Sequence, residues 1–270
     1  MSKRLPATGM VTSQQDIAAA LTSLIPDDAT RAAAVQLLGG FLTDTQAATG
    51  DSVQADVDLQ RANRCGFPEV IYGEGKPAAL IVDILRQQDA VGQRGLVTRV
   101  SPDQADQIIR VFPDSVHNPL ARTLLTQGYP SVGSQGRVAV VSAGSCDAAV
   151  AQEALETLKW MGIDCRLIED VGVAGPHRLL KHVPQLQQMS ALVVVAGMEA
   201  ALPSVIGGYV SCPIIGVPTS VGYGASLGGI AGLLSMLSSC ASNVLTVNID
   251  AGFRGGYTAG LIAAGACTAD

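Results

Sequence analysis

Charge is scarce in this chain. Asp, Glu, Lys and Arg make up 15% of its 270 residues, against 48% hydrophobic residues. So apolar a composition is unusual for a monomer in water and points to subunit surface buried against copies of the same chain. Basic residues are the scarcer sign, 17 against 23 acidic, giving a formal net charge of -6 and a pI near 5.0. That balance argues against a nucleic-acid surface and leaves room only for a local basic pocket, of the kind that takes a phosphorylated small molecule. The three histidines, His117, His177 and His182, lack metal-ligand spacing, and the six cysteines form no CxxC pair. No structural zinc site or disulfide framework is therefore expected. The first residues, MSKRLPATGMVTSQQD, carry charge but no apolar signal-peptide core, so free thiols in a cytoplasmic protein are the expectation.

Between Ala200 and Ile249 there is no charged residue at all. A membrane span needs about 20 predominantly apolar residues, and this run is broken by Pro203, Pro213, Pro218 and many glycines. It is expected instead to be deep core or a buried interface around a site. Glu199, just before the run, and Cys240, near its end, are then costly residues to bury.

Periodicity divides the chain in two. Residues 14–48 read as two helices: the first ends at Pro26, and Asp27 or Asp28 caps the second, which closes on Gly39-Gly40. A small α/β unit follows, with strands at 68–73 and 95–101, a helix at 76–88, and another opened by Pro102-Asp103. The stretch from His117 to Gly136, rich in Gly, Ser and Pro, reads as a domain junction. Beyond it, apolar strands at 137–144, 164–170, 191–197, 213–218 and 243–250 alternate with helices. The helix over 177–188 is expected to bend or split at Pro184; others span 202–210 and 226–239, and a small-residue tail closes the chain. These expectations amount to a helical and small α/β domain over 1–130, then a doubly wound parallel sheet covered on both faces over 131–270. In such a fold the ligand sits in loops at the carboxyl ends of the strands.

Four of those loops carry chemistry. Ser142-Ala-Gly144-Ser145-Cys146-Asp147 offers backbone N–H groups and a hydroxyl to a phosphate or carboxylate; Asp147 is equally explained as a helix N-cap. Gly175-Pro-His177-Arg178 suits an anion, with Arg178 as a fork donor, or is an exposed Arg beside a surface His. In Ala196-Gly197-Met198-Glu199, the isolated acid is expected to be a buried general acid or base with raised proton affinity. Pro218-Thr219-Ser220 adds hydroxyls. Gly222-x-Gly224 with Gly228 has the wrong spacing for a dinucleotide fingerprint, and Gly73-Glu-Gly-Lys76 lacks the flanks of a P-loop. Cys240 closes an apolar helix, where the partial negative charge of the helix end opposes ionisation, so a reactive thiolate there needs a cationic partner.

The loops, in this order, resemble the phosphoribosylaminoimidazole carboxylase family (PurE): VAVVSAGSCD, Gly175-Pro-His-Arg178 and Gly216-Val-Pro218 match its motifs. Where the purine enzymes carry a histidine before Leu-Pro, this chain has Ala201, and it adds Glu199. A resemblance spanning nearly the whole chain is to pyridinium-3,5-biscarboxylic acid mononucleotide synthase (LarB). It rests on Arg61-Ala-Asn-Arg64-Cys-Gly66-Phe-Pro68 through Lys76, Val195-Ala-Gly-Met-Glu199, Pro218-Thr-Ser-Val-Gly-Tyr-Gly and Leu237-Ser-Ser-Cys240-Ala-Ser.

That resemblance implies a PurE-like C-terminal domain and a first step in nickel-pincer nucleotide biosynthesis for lactate racemase. Nicotinic acid adenine dinucleotide (NAD as an analogue) would be carboxylated on its pyridinium ring with carbon dioxide or bicarbonate, and its anhydride cleaved to release AMP. Cys240 would be the covalent nucleophile, with Glu199 or Asp147 removing the ring proton. Gly144, Ser145, Cys146, His177, Arg178, Gly197, Met198, Thr219 and Ser220 would bind substrate, joined by Lys76 and Arg64 from the N-terminal half. No tightly bound cofactor is implied; Mg2+ is a candidate assistant without a dedicated site. The family and the apolar surface together imply an octamer, with neither nucleic acid nor membrane as partner. The purine carboxylase reaction is the alternative.

Overall fold

The computed structural model describes residues 27–32, 34, 55–133 and 136–265. The chain divides into two compact units, residues 1–55 and 56–270. In the first, a helix starts at Asp28, and Asp27 Oδ2 accepts from the Thr30 N–H at 2.7 Å, which fixes Asp27 as its cap. The rest of the two helices expected over 14–48 lies outside the described residues.

The second unit opens with α1 (Arg61–Cys65), followed by β1 (Ile71–Tyr72), α2 (Ala78–Ala90), β2 (Leu96–Thr98) and α3 (Pro102–Val111). Helix α3 has a reciprocal cap: Gln104 N–H donates to Ser101 Oγ at 3.2 Å, while Ser101 N–H donates to the Gln104 side chain at 2.8 Å. Two more strands, β3 (Val116–Asn118) and β4 (Thr123–Leu125), pair antiparallel inside the stretch expected to be a junction. The sheet order is β1-β2-β4-β3. Strand β4 is a buried Thr-Leu-Leu run, too short to register as a strand in the sequence.

The larger sheet is all parallel. Its strands are β5 (Arg137–Ser142), β6 (Asp164–Ile168), β7 (Ala191–Ala196), β8 (Ile214–Pro218) and β9 (Val244–Thr246), in the order β6-β5-β7-β8-β9. Alternate residues of one strand enter different cores: Val138 and Val140 pack on one face, Ala139 and Val141 on the other. Both faces are covered, which is why β7 and β8 are apolar throughout and β5 is apolar from Val138 to Val141. One face carries α4 (Ala148–Trp160) and α9 (Gly252–Gly265). The other carries α5 (His177–Leu180), α6 (Val183–Leu186), α7 (Leu202–Gly207) and α8 (Ile230–Leu237). The break between α5 and α6 falls at Lys181–His182, with Pro184 inside the first turn of α6.

Three expectations need correction. The helix expected from Ser226 begins as an α-helix only at Ile230, because Leu227, Gly228 and Gly229 all have positive φ. The last strand stops at Thr246 rather than Asp250. The small-residue tail is helical as far as Gly265, where it forms the end of α9 (Gly252–Gly265). Its glycines at 252, 256 and 260 recur every four residues and face α4: a Cβ on Gly256 would lie 2.5 Å from Ala154 O, and one on Gly260 2.5 Å from Met161 Sδ. The absence of side chains lets two backbones approach, as in close-packed helix pairs.

Trp160, at the end of α4, joins the two sheets. Its Nε1 donates to Arg94 O at 3.0 Å, and its ring lies 5.7 Å from that of Phe67.

Candidate active site

Strand β5 has neighbours on both sides that follow it in sequence, so the direction of winding reverses between β5 and β7. At this switch point the loops beyond the two strands part, which is where ligands sit in open parallel sheets. A cavity of about 350 Å3 occupies the position. It is lined by the loop after β5 (Gly144, Ser145, Cys146, Asp147), by Arg178 from α5, and by the loop after β7 (Gly197 to Leu202).

Asp147 is the best-buried acid in this cavity, 4% exposed. Its side chain makes no cap to α4. One oxygen accepts from Gly144 N–H at 3.0 Å and the other from Thr219 Oγ1 at 2.7 Å, with the Gly197 N–H also directed at the carboxylate. Asp147 thus ties together the loops after β5, β7 and β8. Burial pushes its pKa up, the three donors pull against that, and the Asp250 charge adds to the rise.

Glu199 lines the same cavity but is exposed. The expectation of a buried Glu199 is corrected: the loop carries it outward between Met198 and Ala200, both at positive φ (54° and 52°). Two non-glycine residues in the left-handed region around one acid are a local strain of the sort that holds a functional group in place. The buried carboxylate with raised proton affinity is Asp147. Nothing in the sequence separates the two, because solvent exposure depends on how the loop turns.

Arg178 reaches the cavity with its guanidinium 2.7 Å from Asp170, which also lines it. Ser145 and Cys146 are exposed at its rim. Thr219 is fully buried and reaches the site only through Asp147. Ser220 lies outside this cavity, its N–H donating to Asp250 Oδ1 at 2.8 Å. His177 opens α5 and does not line the cavity.

Other sequence candidates are elsewhere in the chain. Lys76 donates to Tyr72 O at 2.9 Å on the small sheet. Arg64 pairs with Asp58 at 2.5 Å on the surface. Cys240 is an exposed free thiol between α8 and β9, at the amino ends of the strands. Its neighbours there are held by Ser204–Ser239 (2.7 Å) and by Asn243 Nδ2 donating to Val210 O and Cys212 O. Within one chain it therefore stands at the edge of the sheet opposite the cavity. Among the described residues no group of three or more His, Cys, Asp or Glu is placed to hold a metal ion, and no helix is long and apolar enough to cross a membrane.

Sequence comparison matches residues 49–128 to the LarB/PurE-like N-terminal domain and residues 137–269 to AIR carboxylase. The uncharacterized protein MJ0165 of Methanocaldococcus jannaschii is 39% identical over 215 residues, which cover 77% of this chain and 83% of that protein. Among solved structures, two Treponema denticola PurE proteins align with half of the chain. One is a PurE2 variant (21% identity, 81% of its chain, TM-score 0.38) and the other PurE (20% identity, 82%, TM-score 0.37).

Proposed function

The chain belongs to the LarB/PurE-like carboxylase family, and on that premise we propose that it carboxylates the pyridinium ring of nicotinic acid adenine dinucleotide and cleaves the anhydride. The products are pyridinium-3,5-biscarboxylic acid mononucleotide and AMP, with NAD as an analogue of the substrate. This would make it the first enzyme of nickel-pincer nucleotide synthesis, serving lactate racemase in the cytoplasm.

The observation that carries the proposal is that Asp147 and Glu199, neither of them paired with a cation among the described residues, line one cavity, with Ala201 where the purine enzymes have a histidine. A pyridinium ring is electron-poor and does not attack carbon dioxide. Addition of a thiolate to a ring carbon gives a neutral enamine whose adjacent carbon does. The ring proton then passes to a carboxylate, the thiolate leaves, and aromaticity returns. Asp147, whose pKa burial pushes up, and Glu199 on the same cavity are the two candidate bases. Water cleaves the phosphoanhydride in a separate step.

Cys240 remains the proposed nucleophile. Since it stands across the sheet from the cavity of its own chain, the covalent step calls for Cys240 of a neighbouring copy. Self-association, as the proposed octamer, is supported by Leu227, Leu234, Leu237 and Leu245, each more than half exposed around α8 and β9.

Incubation with nicotinic acid adenine dinucleotide and labelled bicarbonate is expected to give AMP and a labelled dicarboxylated mononucleotide in equal amounts. Neither product would sink the proposal. Turnover of aminoimidazole ribonucleotide instead would assign the purine reaction.

A further inference from the structure

The cavity at the switch point shares part of its wall with a second. Cys146 and Val221 line it and also a second cavity of about 240 Å3, which includes Arg99, Arg122, Glu153, Ser220 and Asp250. Arg99, Glu153 and Asp250 in turn line a third, of about 410 Å3, which reaches Tyr72 and Arg254. The second and third cavities thus adjoin the first through shared lining residues and form an arm that reaches the small sheet. The first alone is at the low end of the size of a small-molecule site, roughly 300–1,000 Å3. It suits one nucleotide, and the second half of a dinucleotide must lie outside it.

The arm is cationic in a protein poor in cations. Arg99 is committed: it forks onto the buried Glu153 at 2.9 and 3.2 Å and donates to Asp250 O. Glu153 also accepts from the N–H groups of Gly252 and Phe253 at the start of α9, so its charge is spent inside the wall. Arg122 donates only to Arg99 O, at 3.3 Å. Among the described residues neither Arg122 nor Arg254 is within ion-pair distance of a carboxylate. Three guanidiniums face two carboxylates, Glu153 and Asp250, leaving one positive charge over. Arg99, Arg122 and Asp250 all have positive φ (54°, 54° and 55°), and such strain gathers where a ligand is held. Tyr72, 54% exposed in a chain with few aromatic residues, supplies a ring face at the far end. Guanidiniums for phosphate and a ring for a base are the two halves of nucleotide recognition.

We infer that this arm holds the nucleoside monophosphate half of the substrate, with Arg122 and Arg254 on its phosphate and Tyr72 against its base. The inference rests on the dinucleotide substrate proposed above. It gives the small sheet a binding role, and it places the anhydride near Cys146 and Val221, between the two halves.

Calorimetric titration of the full chain with AMP tests it, beside nicotinic acid mononucleotide as a probe of the first cavity. AMP is expected to bind, and Arg122→Ala and Arg254→Ala each to weaken it at least tenfold while leaving mononucleotide binding unchanged. Both side chains are exposed, and circular dichroism of each variant checks the fold. No AMP binding, or AMP binding unaffected by both variants, overturns the inference. AMP binding lost in the variants of a protein that incorporates no labelled bicarbonate would leave the arm standing and remove the proposed reaction.

Discussion

Thr219 Oγ1 donates to Asp147 Oδ1 at 2.7 Å, a bond between two fully or nearly fully buried groups on the loops beyond β8 and β5. It is one of the donors that hold down a pKa which burial raises. Thr219→Val keeps the shape and removes the donor, so Asp147 is expected to bind its proton more tightly still. If Asp147 takes the ring proton in its ionised form, the acid limb of the kcat/KM profile moves to higher pH. A profile identical to wild type would show that Asp147 is not the base.

Arg178 offers a fork to an anion from one rim of the cavity, steadied by Asp170 at 2.7 Å. Arg178→Lys keeps the charge and loses the bidentate geometry. KM for the dinucleotide is expected to rise about tenfold, equivalent to ~1.4 kcal/mol, with kcat nearly unchanged. Steady-state kinetics read the split directly.

Cys240→Ser is expected to end carboxylation with the fold intact. Because Cys240 and Glu199 stand at opposite edges of one sheet, a mixture is more informative than either variant alone. Subunits carrying Cys240→Ser, scrambled in equal amounts with subunits carrying both Asp147→Asn and Glu199→Gln, are expected to recover about a quarter of wild-type activity if each site draws its thiol from another copy. No recovery would place both groups in one chain.

The Arg99–Glu153 pair ties the small sheet to α4. Glu153 is 3% exposed, and burial raises its pKa even beside Arg99. Arg99→Ala strands that carboxylate and is expected to cost roughly 3–5 kcal/mol at neutral pH. A raised folded-state pKa means the native state binds the proton more tightly. Its stabilising effect is complete at low pH and disappears as pH rises through the folded value. The Tm gap between variant and wild type should therefore narrow as pH falls from 8 toward 5. A gap independent of pH would rule out an unpaired Glu153 as its cause.

Gly256→Ala is expected to be destabilising despite alanine's higher helix propensity. The new methyl would sit 2.5 Å from Ala154 O, on backbone that cannot yield cheaply. Overpacking of this kind costs about 1–3 kcal/mol. Gly265→Ala, whose Cβ meets nothing within 4 Å, is the control and should leave Tm almost unmoved.

The parallel sheet was legible because β5, β7 and β8 are apolar on both faces, a pattern few other settings allow. The cavity followed, since the carboxyl-end loops of such a sheet are known in advance. Helix α9 was not legible: its glycines look like breakers, and only the backbone of α4 explains them. That the buried acid is Asp147 and not Glu199 was hidden because burial is decided by loops from three strands meeting, which no single loop encodes. Cys240 carried a correct local reading, a thiol just past an apolar helix. Its distance from the cavity is a property of the parallel topology. Arg99, Arg122 and Asp250 gave no signal at all, for their left-handed backbones leave no mark when the residue is not glycine.

Trp160 has a use beyond packing. It is the only tryptophan in the chain, with its indole N–H on Arg94 O and its ring against Phe67, both in the segment that leads the small sheet. Its fluorescence therefore comes from the seam between the two sheets and from nowhere else. A shift of that emission to longer wavelength, at denaturant too low to melt the parallel sheet, would report the seam opening by itself. The protein carries its own optical gauge of whether the two sheets stay together.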